Sequence, residues 1–162
     1  MTTQYQAGHK LRDLKAHLIS LLGDKIAKHM NCEMGSVQLI LSPKHMGNGF
    51  NIMVQRYDAD FLFEGFPFKE YDPAILFANV GAWLMDHDSD RDDTDLSDPD
   101  IEIVMEDESS AEILINLEFE EAVKVIEDPN GLVHWNNKRW SIEAYEVYTA
   151  KRLRDVTVNH RA

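Results

Sequence analysis

The stretch IEIVMEDESSAEILINLEF, residues 101–119, decides the fold class. Apolar and polar residues alternate over 101–107 and again over 112–119, which is typical of half-buried β-strands. The residues between them, 108–111, form a link that is short enough for a hairpin. The stretch therefore predicts two neighbouring antiparallel strands that turn one face toward a core.

A helix is predicted directly upstream, over about residues 73–87. Asp72 can accept hydrogen bonds from the free N–H groups of a first helical turn, and Pro73 fits the first helical position. The apolar face of this helix consists of Leu76, Phe77, Val80, Trp83 and Leu84.

A second helix is predicted near the N-terminus, over residues 9–30, ending near Asn31 and before Gly35. Its apolar residues recur at steps of three and four, which places them on one stripe of a helix. The stripe consists of Leu11, Leu14, Leu18, Leu21, Leu22 and Ile26.

Two strands are predicted after this helix, over residues 37–42 and 50–57. The Gly-Asn-Gly triplet at 47–49 permits the positive φ angles that a tight hairpin requires. A short third strand, 61–66, is predicted to follow a turn at Asp58.

The last elements are predicted around the Asp-Pro-Asn-Gly turn at 128–131. In that turn proline presets φ, and glycine accepts the left-handed conformation. Strands 122–127 and 132–135 are expected to flank it as a hairpin. A further helix is predicted over 141–154.

These elements predict an α+β fold. A mixed or antiparallel β-sheet built from hairpins packs against the N-terminal helix and the central helix. A chain of 162 residues suits a single domain with a real core. Residues 1–162 are therefore expected to form one domain, with its core at about 9–136 and a C-terminal extension at 137–162.

Composition excludes several classes of protein. The net charge of −13 argues against binding to nucleic acid or to an anionic membrane surface, because both require a basic surface. No apolar run approaches the roughly 20 residues that span a bilayer, and no signal peptide is expected. Cys32 is the only cysteine, so we expect no internal disulfide and a reducing cytoplasm.

The stretch DHDSDRDDTDLSDPD, residues 86–100, contains eight aspartates and one arginine. It is a metal site, an acidic binding surface or a solvated connection, and its unpatterned polarity favours the connection. An EF-hand loop requires a glycine at position 6 and a glutamate at position 12, and loops that start at Asp86 or at Asp88 supply neither. Weak calcium binding stays a hypothesis, because a cation would relieve repulsion among the carboxylates. Its candidate ligands are Asp86, Asp88, Asp90 and Asp92.

The sequence shows no motif for catalysis or for a cofactor. Glycine-rich phosphate loops, HExxH and GxSxG are all absent from it. His29 and Cys32 are spaced as a base and a nucleophile could be, but packing is the commoner role of such a pair. We therefore expect a protein that is not an enzyme and holds no cofactor.

The C-terminal end is basic, unlike the rest of the chain. Residues 138–162 carry six basic and three acidic side chains, a net charge of +3. Such an asymmetry can steer contact between proteins. Lys151, Arg152 and Arg154 are therefore candidate interface residues.

Aromatic residues also cluster late in the chain. Trp140 and Tyr145 are candidate interface residues, and Trp135 and Tyr148 lie near them in sequence. Such a group either anchors a partner or completes the core of the last elements, because Trp and Tyr suit both roles.

Two segments carry motifs of a known family. In FNIMVQRYDADFLFEGFPFKEYDPAILFANVGAWLMDHD, residues 50–88, the helix contains the tripeptide Ala-Trp-Leu. The segment 101–135 contains the alternating strand AEILINLEFE and then Val-Lys-Val. These features, over about residues 10–136, resemble the tail completion protein R family of contractile-tailed temperate phages. The aspartate run is longer and more acidic than the family pattern, and residues 137–162 form an extension of it.

The resemblance implies a structural virion protein that completes or terminates the tail at its head-proximal end and enables head–tail joining. By likeness to tail terminators, it implies a homo-oligomeric ring. The implied partners are tail tube, sheath and head–tail connector proteins, and the implied location is the virion tail, with assembly in the host cytoplasm. Two alternatives stay open: an acidic protein-binding inhibitor or DNA mimic, and a weak calcium-binding module.

Overall fold

The computed structural model describes residues 8–45 and 49–143. Within these ranges the chain forms helices, one 3₁₀ turn and six strands. The helices are α1 (His9–Leu22), α2 (Asp24–Ala27) and α3 (Pro73–His87), and the 3₁₀ turn is Ser89–Asp93. The strands are β1 (Met30–His45), β2 (Phe50–Phe66), β3 (Asp100–Met105), β4 (Ala111–Glu127), β5 (Val133–Trp135) and β6 (Lys138–Ile142).

The strands form one antiparallel sheet centred on the long pair β2 and β4. Its order is β1-β2-β4-β6-β5, and β3 also pairs with β4. Because β2 occupies one edge of β4, both β3 and β6 lie along the other edge. There β3 pairs with residues 111–116 and β6 with residues 125–127. The predicted α+β class with an antiparallel sheet is confirmed.

The core lies between one face of this sheet and the helices. Every second residue of β4 from Ala111 to Phe119 is buried, as the alternating sequence predicted. The predicted helical stripes are also largely buried, although Leu21 is exposed and Phe77 is half-buried. The helices contribute Leu11, Leu14, Leu18, Leu22, Ile26, Leu76, Val80, Trp83 and Leu84 to the core.

Helix α3 has the bounds that the sequence predicted. Pro73 occupies its first position, and the Asp72 carboxylate accepts a hydrogen bond from the amide of Ala74 at 2.9 Å. The cap satisfies an N–H group that has no partner inside the helix.

The N-terminal helix is shorter than predicted. It ends at Leu22, and the next residue, Gly23, has a φ of +78°, which lies in the left-handed region where glycine is favoured. Only the short helix α2 follows, and β1 begins at Met30. Met30, Cys32 and Met34 are buried at alternate positions of that strand. The prediction of a helix through residue 30 was wrong, because residues 30–34 alternate between buried and exposed positions with the period of two that a strand has.

Strands β2 and β4 are both longer than predicted. No turn occurs at Asp58, which pairs with Glu118 on one side and with Gly35 on the other. The predicted strands 50–57 and 61–66 are one strand, and β4 likewise continues past Phe119 to Glu127. Charged residues do not interrupt these strands because one face of the sheet lies away from the helices.

The last hairpin is paired differently from the prediction. The turn at 128–131 exists, with the amide of Gly131 donating to the carbonyl of Asp128 at 2.8 Å. However, β5 pairs with β6, and it is β6 that pairs with β4. Asn136 and Asn137, with φ of 56° and 61°, form the tight turn between β5 and β6.

Three predictions concern residues near or beyond the described ranges. A helix from residue 141 is wrong at its start, since Ser141 and Ile142 belong to β6. The remainder of that helix, from 144 to 154, lies outside the described residues, as do the first two residues of the triplet at 47–49. The proposed boundary between core and extension falls inside the β5–β6 hairpin.

One acidic residue of α1 makes the stability depend on pH. Burial raises the pKa of Asp13 to about 6, and its Oδ1 has no hydrogen-bond donor among the described residues. The folded state therefore binds this proton more tightly than the unfolded chain does. The charged form costs stability above pH 6, and that cost disappears as the pH falls toward 4.

We expect Asp13→Asn to raise the melting temperature at pH 7.5 and to change it little at pH 4.5. Thermal unfolding of both proteins, followed by circular dichroism at the two pH values, measures the difference. An equal gain at both pH values would show that the charge of Asp13 is not its cause.

Candidate functional site

The acidic stretch connects α3 to β3, and one of its aspartates lies inside the protein. Asp88 is 1% exposed. Its Oδ1 accepts from Nζ of Lys10 at 2.6 Å, and its Oδ2 accepts from Nη1 of Arg91 at 2.8 Å. A buried carboxylate is tolerated when cations and hydrogen bonds compensate it. The stretch is therefore a connection, as predicted, but it is not entirely solvated.

The two cations also close a gap in the sheet. Between β3 and β6, the edge of β4 has no neighbouring strand among the described residues. Here Lys10 Nζ donates to the carbonyl of Glu120 at 2.7 Å, and Arg91 Nη1 donates to that of Glu118 at 2.9 Å. Ser97 adds a hydrogen bond from its amide to the Glu118 carboxylate at 3.0 Å. The side chains of Lys10 and Arg91 thus donate hydrogen bonds to carbonyl groups of β4 that a neighbouring strand would otherwise bind.

A second buried acid, Glu121, anchors helix α1. Gly8 precedes that helix and has no side chain to cap it. The Glu121 carboxylate instead accepts from the amides of His9 at 2.9 Å and Lys10 at 3.0 Å. It also accepts from the Tyr57 hydroxyl at 2.6 Å. Burial raises the pKa of Tyr57 far above its usual value, which keeps that hydroxyl a donor.

The aspartates do not form a metal centre in the described part of the chain. No group of three or more His, Cys, Asp or Glu residues there is arranged to hold a metal ion. Asp88 is engaged by its two cations, whereas Asp86 and Asp90 are exposed. The side chain of Asp92 lies outside the described part.

Cys32 does not have the environment of a nucleophile. It lies on β1 in the core, and burial raises the pKa of its thiol to about 12. The reactive thiolate is therefore scarce at neutral pH. His29 precedes the strand and is exposed.

The late aromatic residues divide into a buried group and a group outside the described residues. Trp140 is 4% exposed, and its indole N–H donates to the carbonyl of Trp135 at 2.8 Å. Its ring also meets Phe50 edge-on at 5.5 Å between centroids. This packing supports a core role for Trp140. Tyr145 lies beyond residue 143, as do Lys151, Arg152 and Arg154.

The most accessible apolar strand of the acidic region is β3. All six of its residues are exposed, with Val104 at 57% and Met105 at 59%. Among the described residues β3 pairs only with β4. Residues 98–112 contain seven acidic side chains and no basic one. We call residues 98–112 the acidic edge.

A pocket of about 380 Å³ adjoins the acidic edge. Gly81 and Met85 of α3 line it on one side, and Asp98 and Pro99, which lead into β3, line it on the other. Arg91 also contributes to its wall. The exposed strand and the pocket form a mixed apolar and acidic surface, which suits contact with a protein.

Comparison with known proteins assigns this architecture to a family. The family model of the P2 phage tail completion protein R (GpR) matches residues 8–144. The chain belongs to this family. The resemblance in the sequence is thereby confirmed.

One relative of the chain comes from a phage. An uncharacterized 19.2 kDa protein in the rep-hol intergenic region of Haemophilus phage HP1 is 29% identical over 111 residues. The alignment covers 68% of the chain and 66% of the relative, which is just under two thirds of that protein. No solved structure matches the chain. No helix in the described ranges is long and apolar enough to cross a membrane.

The family match includes every described element, from α1 to β6. Sequence reasoning had missed Lys10, Arg91 and Glu121. Arg91 carried a signal, because it is the only basic residue among eight aspartates. Glu121 carried none, since its partners His9 and Lys10 lie more than a hundred positions away.

Proposed function

We propose that this protein completes the phage tail at its head-proximal end and enables the head to join it. The family match over residues 8–144 carries the proposal. The head-proximal position follows from the resemblance to tail terminators. The contacts are made with tail tube, sheath and head–tail connector proteins in the virion tail, after assembly in the host cytoplasm.

We further propose that the protein acts without catalysis and assembles as a homo-oligomeric ring. The sheet has an exposed apolar strand on each side, which supports an assembly. On one side is the acidic edge, and on the other is β1, where Leu39 and Leu41 are 52% and 77% exposed. Exposed edges invite pairing unless a partner covers them. A contact between the acidic edge of one copy and a different surface of its neighbour is head-to-tail and closes a ring by rotation.

The experiment is electron microscopy of lysates from a phage that lacks this gene. We expect separate heads and tails, and a return of joined particles when the wild-type gene is supplied from a plasmid. Normal, head-joined tails in the lysate without the gene would refute the proposal. A phage that lacks an unrelated capsid-decoration gene is the control for the effects of deletion itself.

A further inference from the structure

We infer that the acidic edge of one copy binds the basic residues 151–161 of a neighbouring copy. The outer edge of β3 is the receiving surface. This inference rests on the proposed ring, because it assigns one contact between adjacent copies.

The receiving strand has the properties of a strand-addition site. Among the described residues, the backbone of β3 pairs only with β4, so its other edge remains available. Ile103, Val104 and Met105 are each at least half exposed. Side chains alternate between the two faces of a strand, so an added strand covers apolar groups on both. Main-chain hydrogen bonds then provide affinity, and the side chains provide specificity.

The charges of the two segments are complementary. The acidic edge has seven carboxylates and no basic residue. The segment KRLRDVTVNHR, residues 151–161, has four basic residues and one acidic residue. Its Val-Thr-Val at 156–158 is β-branched, which favours an extended backbone. Opposite charges speed the encounter and disfavour wrong partners. The aspartate run itself is a poorer receiver, because Asp88 already binds Lys10 and Arg91.

The direct path from the end of β6 to β3 within one chain is occupied, and the proposed ring supplies a neighbouring copy as the source of the segment. After β6, the amide of Glu143 donates to the carbonyl of Lys124 at 2.8 Å, which directs the chain along the edge of β4. From there the near end of β3, opposite Asn116, is roughly 26 Å away along the strand. Lys10 and Arg91 occupy the edge between them. A neighbour's segment reaches the outer edge of β3 without crossing this blocked edge.

Cysteine cross-linking of the full chain tests the inference. Val104→Cys and Thr157→Cys are made separately, and the native Cys32 is buried. We expect a mixture of the two variants to form a disulfide-linked dimer, identified by mass spectrometry of the 104–157 peptide pair. Sodium chloride at 0.5 M, added before oxidation, should lower the yield several-fold, because it screens exposed charges. The matched control pairs Thr157→Cys with Gln38→Cys on the opposite edge and should yield no such link.

Three results would overturn the inference. The first is the absence of the 104–157 link from a mixture that still forms oligomers. The second is a link found only within single chains when both cysteines are placed in one protein. The third is an unchanged yield of the link with Glu102→Lys and Glu106→Lys together, which should reduce it several-fold. Head–tail joining is measured separately in the phage. A negative cross-linking result would therefore contradict this contact without contradicting the proposed function.

Discussion

Replacing Asp88 with alanine is expected to lower the free energy of unfolding by about 3–5 kcal/mol. The substitution leaves the ammonium of Lys10 and the guanidinium of Arg91 partly buried without their shared carboxylate. Both cations also donate hydrogen bonds to carbonyl groups on the edge of β4. Without Asp88 they no longer link the acidic connection to the sheet. Urea denaturation followed by tryptophan fluorescence measures the effect.

The control is an aspartate of the same stretch that faces solvent. Asp90→Ala is expected to change the free energy of unfolding by no more than about 0.5 kcal/mol, since exposed charges contribute little. Asp88→Asn keeps the shape and removes the charge, and should fall between the two. If Asp88→Ala and Asp90→Ala have equal effects, the buried charge network does not stabilise the fold.

Replacing Glu121 with alanine is expected to cost a similar amount, about 3–5 kcal/mol. The change removes the acceptor for two amides at the start of α1 and for the buried hydroxyl of Tyr57. Each buried donor left without a partner costs about 1–3 kcal/mol. Chemical denaturation provides the measurement, and Glu127→Ala, at an exposed position of the same strand, is the control.

A double-mutant cycle separates the hydrogen bond from other effects of the change. Glu121→Gln, Tyr57→Phe and the double variant are compared with the wild type. A coupling energy of about 1 kcal/mol or more is expected for a buried bond to a charged acceptor. Additive effects would mean that Glu121 acts on α1 without Tyr57.

The sequence correctly predicted those helices and strands whose signals lie within the element itself or next to it. The cap at Asp72 and the proline after it gave α3 its correct bounds. The period of two over 112–119 gave the core face of β4. These signals succeed because the residues that fix each element lie next to one another.

Elements that depend on distant partners were predicted less well. The continuity of β2 through Asp58 depends on pairing with Gly35 and Glu118 on either side. The sequence predicted β5 beside β4, whereas β6 occupies that place. The difference likewise depends on which of the two short strands reaches the edge of β4. Such choices are made by long-range packing, which outweighs local propensity.

The aspartate stretch illustrates both cases. Its position between α3 and β3 followed from the neighbouring elements, whereas the inward orientation of Asp88 depends on Lys10, which lies 78 positions away. The DNA-mimic alternative requires carboxylates spread over a face. Asp88 and Glu121 do not contribute to such a face, because both point into the protein.

Localisation in the virion tests the proposed function most directly. A short epitope inserted between Gly47 and Asn48, in a phage that remains viable, allows gold-labelled antibody to mark the protein by electron microscopy. The account predicts labels at the junction between head and tail. Labels at the baseplate end of the tail, or no labels on purified virions while the epitope remains accessible in the free protein, would contradict it.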